Sequence, residues 1–338
     1  MSFFAIVFAL LFEQARPLAA SNPIHAGLRN WARFASRNVD AGKTKHAWLA
    51  WAIAVLLPAA LVTAVYWALV WSLGWLAATL WNVAILYATL GFRQFSHHFT
   101  AIRDALDADN ASGEAQAREL LAQWQQVDAS ELPRSEILRH VIEYSVLAAH
   151  RHVFGVLAWF SLLSVLGLGP AGAVLYRMSE FVSRYWKFRR ASLVQAHYQP
   201  TSQALQDAAA QAWHSIDWLP ARVTALGFAV VGSFEDAIDG WRNHAQRFPN
   251  DNDGVILAAT SGAVNVRLGG EALKPSFAPN TSQSFQSGTT PEDLVDSAST
   301  PGREPELAHL RSVVGLVWRS VVLWVGLLAL LSLARLLG

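Results

Sequence analysis

Uncharged stretches alternate with polar ones along this chain, and their lengths predict its elements. Positions 47–92 form 46 residues without one charged side chain, about twice what a helix needs to cross a bilayer. Two membrane helices are expected there, with the break at Ser72-Leu73-Gly74, where glycine permits the turn. Lys43, Lys45 and His46 flank one end of this hairpin and Arg93 the other, so by the positive-inside rule both ends face the cytoplasm. Positions 153–176 are uncharged over 24 residues, yet Gly167-Leu168-Gly169-Pro170 interrupts them, and Arg177, Arg184, Lys187, Arg189 and Arg190 follow. A single crossing would place that cationic cluster outside. Two half-helices that dip in and return keep it cytoplasmic, and broken helices are tolerated where protein or water satisfies the freed backbone groups. A re-entrant hairpin is therefore the expectation. Positions 223–234, ended by Gly232, Glu235 and Asp236, are too short to span and read as a second partial insertion. Positions 313–337 are apolar apart from Arg319 and Arg335, which can snorkel to an interface, and read as a last membrane helix. The opening stretch, 2–12, has no basic residues before it and ends at Glu13 rather than a small-residue cleavage site, so it reads as retained.

The polar segments complete the organisation. Positions 93–152 hold nine acids and six arginines in a helical pattern. A turn at Asp109-Asn110-Ala111-Ser112-Gly113 and a break at Leu132-Pro133 divide them into amphipathic pieces. This is the pattern of a solvated cytoplasmic helical insert. Positions 271–306, rich in Ser, Thr, Pro, Gly, Asn and Gln, read as a flexible polar loop. The expected fold is a single all-α domain over 1–338, a polytopic integral membrane helical bundle with re-entrant or broken helices and a cytoplasmic helical segment.

Composition supports lipid as the solvent. Charged residues make up 15% of the chain, against roughly 25% in soluble proteins. There are fifteen tryptophans, and Trp48, Trp51, Trp81, Trp318 and Trp324 lie near the ends of apolar runs, where indole suits the headgroup layer. The formal net charge is +1 with no basic tail, so nucleic acid is not an expected partner. The absence of cysteine excludes disulfides, thiolate metal sites and cysteine nucleophiles. His97 and His98 are adjacent and His150 and His152 are two apart, so neither pair converges on a helix face and no metal site is expected. Neither a Gly-x-Ser-x-Gly elbow nor a Walker-type loop is present.

Two stretches carry candidate chemistry. Asp217-Trp218-Leu219-Pro220-Ala221-Arg222 sets an acid and an arginine around a proline just before an apolar run, where a buried ion pair or an anion contact is plausible. The second runs from Asn250-Asp251-Asn252-Asp253-Gly254 to Gly262-Ala263-Val264-Asn265-Val266-Arg267-Leu268-Gly269-Gly270. Its small residues and arginine could close on a phosphate. Equally, it could be a turn, a close-packed helix and a Gly-Gly stop. The ligand-binding candidates are Asp217, Arg222, Asn252, Gly254, Arg267, Gly269 and Gly270.

These stretches resemble the CobD/CbiB family of cobalamin-biosynthesis membrane proteins, whose enzymes are adenosylcobinamide-phosphate synthases. Pro220-Ala221-Arg222-Val223-Thr224-Ala225 is similar to the family's Pro-Ala-Arg-Leu-Thr-Ala, and 262–270 to its Gly-Ala-x-x-Val-Arg-Leu-Gly-Gly. Asn22-Pro23-Ile24-His25 stands where the family has His-Pro-Val-Arg, and Glu13 where it has an aspartate. Asp128 and Glu143 match acids of the polar segment, making Glu13, Asp128 and Glu143 the catalytic candidates that the resemblance implies. One branch is closer still, the AmpE-like inner-membrane modulators of β-lactamase induction, whose runs resemble 217–222, 229–234 and 169–177.

The departures from the family shape the functional expectation. The synthases carry a Glu-Ser-Val-Ala-Glu-Asn-x-x-Asp-Gly run. Here Glu143-Tyr144-Ser145-Val146 leads into Leu147-Ala148-Ala149-His150-Arg151-His152, without the second glutamate, the asparagine or the aspartate. Glu180-Phe181-Val182-Ser183-Arg184 replaces Asn-Thr-x-Asp-Ser, and Ile256-Leu257 replaces Pro-Glu. ATP-driven amide formation needs carboxylates around a phosphate-bridging metal. The expected function is thus a noncatalytic or regulatory AmpE-like protein of the bacterial inner membrane, binding a phosphorylated or corrinoid ligand. The alternative is the synthase itself, and ATP and magnesium belong to that alternative only.

Overall fold

The computed structural model describes residues 2–16, 23–108, 110–125, 127–191, 201–273 and 295–337. Among these the secondary structure is helical, with one isolated parallel bridge between Val266 and Arg303. The helices are α1 (Ser2–Ala15), α2 (Pro23–Val39), α3 (Thr44–Leu73), α4 (Trp75–Thr89), α5 (Phe92–Asp107), α6 (Ala111–Gln125), α7 (Arg134–Ala149), α8 (Gly155–Val165), α9 (Ala171–Ala191), α10 (Gln203–Val231), α11 (Phe234–His244), α12 (Asp251–Val264) and α13 (Leu307–Leu337). A π-helical turn, His150–Phe154, joins α7 to α8. Among the described residues three helices are long and apolar enough to cross a membrane: Thr44–Leu73, Arg134–Val165 and Leu307–Ala334. The chain is thus built as a helical membrane protein. It divides into one compact unit of Met1–Gly91, Arg151–Pro220 and Leu328–Gly338, and a second of Phe92–His150 and Ala221–Leu327.

In the first unit, α3 and α4 form the expected hairpin, with Gly74 at φ 82 between them. Its tip is apolar and exposed: Trp71 is 80% and Leu73 70% accessible, as suits lipid rather than water. Residues 153–176 fold as α8, which continues α7 into a run of 32 helical residues, and the start of α9, and the two pair around the turn at Gly167-Leu168-Gly169-Pro170. A Cβ on Gly155 would fall 2.0 Å from the Tyr176 ring, and one on Gly172 2.0 Å from the Trp159 carbonyl oxygen, so only glycine allows this close approach. The turn lies beside α3, where the Leu168 carbonyl accepts from Thr63 Oγ1 at 3.1 Å. It therefore stands about 15 Å short of the Gly74 tip, at 1.5 Å per residue.

Proline inside a helix leaves the carbonyl four residues earlier without its partner. Pro58 in α3 frees the Ala54 carbonyl, which accepts the Trp31 indole N–H at 3.2 Å. Pro220 in α10 frees the Ile216 carbonyl, which accepts from Trp159 at 2.9 Å. This second repair corrects the expected partial insertion at 223–234: α10 runs unbroken through Pro220, and 223–231 is its final part.

The second unit follows the punctuation of the sequence. Asn110 Oδ1 accepts from the Gly113 amide at 2.7 Å at the start of α6, and Pro133 precedes α7. A Cβ on Gly113 would fall 2.3 Å from the Ala105 carbonyl oxygen, and one on Gly262 2.1 Å from that of Asp236. Glycine thus sets the close approach of α5 to α6 and of α11 to α12. Of the stretch expected as a flexible loop, 274–294 lies outside the described residues. Residues 295–303 run beside 265–272 as a strap. Arg267 N–H donates to the Arg303 carbonyl at 2.7 Å, Thr300 N–H to that of Leu268 at 2.7 Å and Ser297 N–H to that of Gly270 at 2.9 Å.

Candidate functional site

The candidate site lies within the second unit, where α7 meets the strap. Glu136, Arg139 and Glu143 fall on one face of α7 by their i, i+3 and i+4 spacing. The Arg139 side chain is 4% exposed and every guanidinium nitrogen is engaged. Nε and Nη2 donate to Glu136 Oε2 at 2.8 and 2.6 Å, and Nη1 lies 3.1 Å from both Glu143 oxygens. Nη2 also donates to the Glu271 carbonyl at 2.7 Å and lies 2.9 Å from His140 Nε2. Glu143 Oε1 in turn accepts the Gly269 amide at 2.6 Å. One buried arginine thereby ties α7 to the strap.

Gly269 at φ 79 and Gly270 at φ 140 are the backbone requirement of this arrangement, since other residues rarely adopt such angles. A Cβ on Gly269 would also fall 2.8 Å from the Ala298 carbonyl oxygen. Beside them opens a cleft whose polar lining includes Arg139, His140, Glu143, Asn250, Asp253 and Gly270. With Arg139 committed to its two glutamates, the other charged groups among the described residues lining the cleft, Glu143, Asp253 and Glu271, are acidic.

The structure brings some of the expected residues together and separates others. Arg222 Nη1 donates to Asn252 Oδ1 at 2.9 Å, joining two candidates thirty positions apart. Asn252 stands in the first turn of α12, whereas Arg267 follows the helix's other end, exposed, about 20 Å along the axis at 1.5 Å per residue. One ion closed in by Arg222, Asn252 and Arg267 together is therefore not the geometry observed. The stretch 250–270 instead forms a capped turn, a close-packed helix and a glycine strap. Asn250 caps α12 by accepting the Asn252 amide at 3.1 Å. A Cβ on Gly254 would fall 2.3 Å from the Ala245 carbonyl oxygen, so its role here is packing. Gly270 does line the cleft, and Gly269 donates its amide to Glu143 beside it.

Asp217 belongs to the first unit, where its carboxylate accepts the Tyr176 hydroxyl at 2.8 Å, both side chains buried. Glu13 is buried there too, on α1. Asp128 is exposed and accepts from the Ser130 amide and hydroxyl at 3.1 and 2.8 Å, a local turn. Of the three acids, only Glu143 enters the cleft. The side chains of the Asn22-Pro23-Ile24-His25 match lie outside those described. His98 stacks on Trp124, and burial, with His97 beside it, holds its ring below the ordinary histidine range. His150 Nδ1 lies 2.9 Å from Thr224 Oγ1. Among the described residues no three His, Asp or Glu gather as a metal seat. Arg139 and Tyr176 escaped sequence reasoning. The Glu136, Arg139, Glu143 spacing was visible but reads equally as a solvated face.

Fold and cleft together define a helical membrane protein with a strap-bound acidic cleft in its second unit. The chain belongs to the CobD/CbiB family, described as CobD/Cbib protein, which matches residues 3–294. It is 28% identical over 331 residues to the cobalamin biosynthesis protein CobD of Stutzerimonas stutzeri (strain A1501), covering 95% of both chains. It is 32% identical over 191 residues to the CobD of Chromobacterium violaceum, covering 56% of this chain and 55% of that one. The CobD of Leptospira interrogans is 27% identical over 206 residues, 60% of each chain. No solved structure matches.

Proposed function

We propose that this chain acts in cobalamin biosynthesis as an inner-membrane amide ligase of the adenosylcobinamide-phosphate synthase type. The observation that carries this reading is the likeness to a CobD protein along 95% of both chains. In this chemistry a carboxylate of adenosylcobyric acid gains a bond to the nitrogen of aminopropanol phosphate. One carboxylate oxygen leaves with the γ-phosphoryl group of ATP, and the amine gives up a proton. Asp253, facing the cleft, suits an ammonium group. Arg139 holds the Glu143 carboxylate in place, and the Arg222–Asn252 pair offers a cationic edge of the same unit for a phosphorylated ligand.

Both Glu143 oxygens are already engaged, so the described residues do not fit a preformed magnesium seat. Magnesium would arrive on the ATP phosphates, as this ion commonly does. The test uses purified full-length protein with adenosylcobyric acid, aminopropanol phosphate, ATP and magnesium. Corrinoid-dependent ADP release, lost in Glu143→Gln, is the expected result. No release above the blank, together with failure to complement a strain lacking CobD, overturns the reading.

A second reading, a noncatalytic AmpE-like regulator, has one specific observation in its favour. At the spacing where the synthases carry a second glutamate, an asparagine and an aspartate after the first, this chain places Leu147, Ala148 and Arg151, with Leu147 and Arg151 at most 5% exposed. Those two positions are filled by core packing. Ligand binding without any ADP release would favour it.

A further inference from the structure

We infer that α2 and the turn into α3 form a seat for the headgroups of anionic lipids. Positions 23–46 carry Arg29, Arg33, Arg37, Lys43 and Lys45 against a single acid, Asp40. The Asp40 carboxylate accepts from the Ser202 amide and hydroxyl at 2.9 and 2.7 Å and from the Gly42 amide at 3.0 Å. It thus serves the turn. α2 is amphipathic: Ala32, Ala35 and Ser36 are buried, while Arg37, Lys43 and Lys45 are exposed. Apolar groups stand among these cations, with Phe34 53%, Trp48 37% and Leu49 51% accessible and the Phe34 ring stacked on Trp31 at 5.6 Å.

Depth distinguishes a lipid from a soluble anion. At 1.5 Å per residue the 30 residues of α3 extend about 45 Å, roughly 15 Å more than the hydrocarbon core of a bilayer. The exposed, uncharged tip at Trp71 and Leu73 marks the end that lies in lipid, so the surplus of about ten residues is the N-terminal end, near 44–54. That is where α2 packs, for Trp31 reaches the Ala54 carbonyl. The basic helix is therefore held at headgroup level. Cations there attract anionic lipids, and exposed aromatic and aliphatic side chains suit the glycerol and upper acyl region. A soluble polyanion would gain nothing from Phe34, Trp48 and Leu49.

The test titrates phosphatidylglycerol or phosphatidylcholine into the full-length protein in detergent, reading bound lipid by native mass spectrometry and the unfolding midpoint in parallel. Phosphatidylglycerol is expected to stay bound and to raise the midpoint, phosphatidylcholine not. Replacing Arg29, Arg37, Lys43 and Lys45 together by Gln should weaken the anionic preference on the order of a hundredfold or more, with the midpoint in phosphatidylcholine unchanged. A control replacing Arg103, Arg242, Arg303 and Arg311 by Gln should keep the preference. The inference is overturned if the first variant keeps the preference, if the control loses it equally, or if glycerol 3-phosphate binds as well as the lipid. Should the first variant not fold, Arg37→Gln with Lys43→Gln alone decides, with about a tenfold loss expected.

Discussion

α3 and α12 are both apolar, yet α3 buries six of its 30 residues and α12 eleven of its 14. The difference shows which solvent each was built for. α12 is covered by protein on nearly all sides, through glycines that let α11 approach and through a strap of hydrogen bonds. α3 turns leucines and tryptophans outward along its second half, a state that water would penalise and lipid does not. The surroundings of α12 are thus organised by satisfied charges and close backbone contacts, and those of α3 by small-residue helix contacts with lipid outside them.

Four changes break or sharpen this contrast. The largest effect is expected from Arg139→Ala, which leaves Glu136 and Glu143 without their shared cation. A loss of about 3–5 kcal/mol should appear in the unfolding midpoint of the detergent-solubilised protein. Next, Leu61→Lys, at a site 63% accessible in the middle of α3, should cost about 2.5–3.5 kcal/mol in an insertion assay. Ala115→Lys, on the exposed face of α6, should fall within about 0.5 kcal/mol of the parent. If both lysines are equally harmless, water rather than lipid surrounds α3. Third, Trp159→Phe removes the donor to the Ile216 carbonyl while keeping most of the ring. About 1–2 kcal/mol of destabilisation is expected, and none if Pro220 is also replaced by Ala. Last, cysteines at Lys43 and Lys187 should leave stability nearly untouched and label from the same side of the membrane. Opposite labelling would show that α8 and α9 together cross once.

Elements set by local chemistry were legible in the sequence. Gly74, Asn110 and Pro133 each mark a boundary because each imposes a backbone conformation or a cap that neighbours cannot override. The turn at 167–170 was legible from its glycines and proline. Where distant residues decide, reading failed. Pro220 looks like a boundary until Trp159, 61 positions earlier by subtraction, supplies the missing hydrogen bond. Trp31 and Trp159, which are not among the tryptophans placed at the ends of apolar runs, act as such repairs. Of the site, Glu143 and the two strap glycines were named, but Arg139, which unites them, was hidden in an ordinary helical charge pattern. Gly254 packs against the Ala245 carbonyl, and a glycine needed for close packing is indistinguishable in sequence from one that admits a ligand.

Two tyrosine rings in the apolar unit rest where another residue's Cβ would be: Tyr176 over Gly155 and Tyr66 over Gly169. Neither member of such a pair can change size by itself without a clash or a hole. In descent 155 and 176 should therefore be inherited as a couple, a larger residue at 155 tolerated only beside a smaller one at 176, whereas Gly169, at φ 56, is held by its backbone as well as by Tyr66. Homologous chains would carry that linkage as correlated substitution, even where the rest of the hairpin has drifted freely.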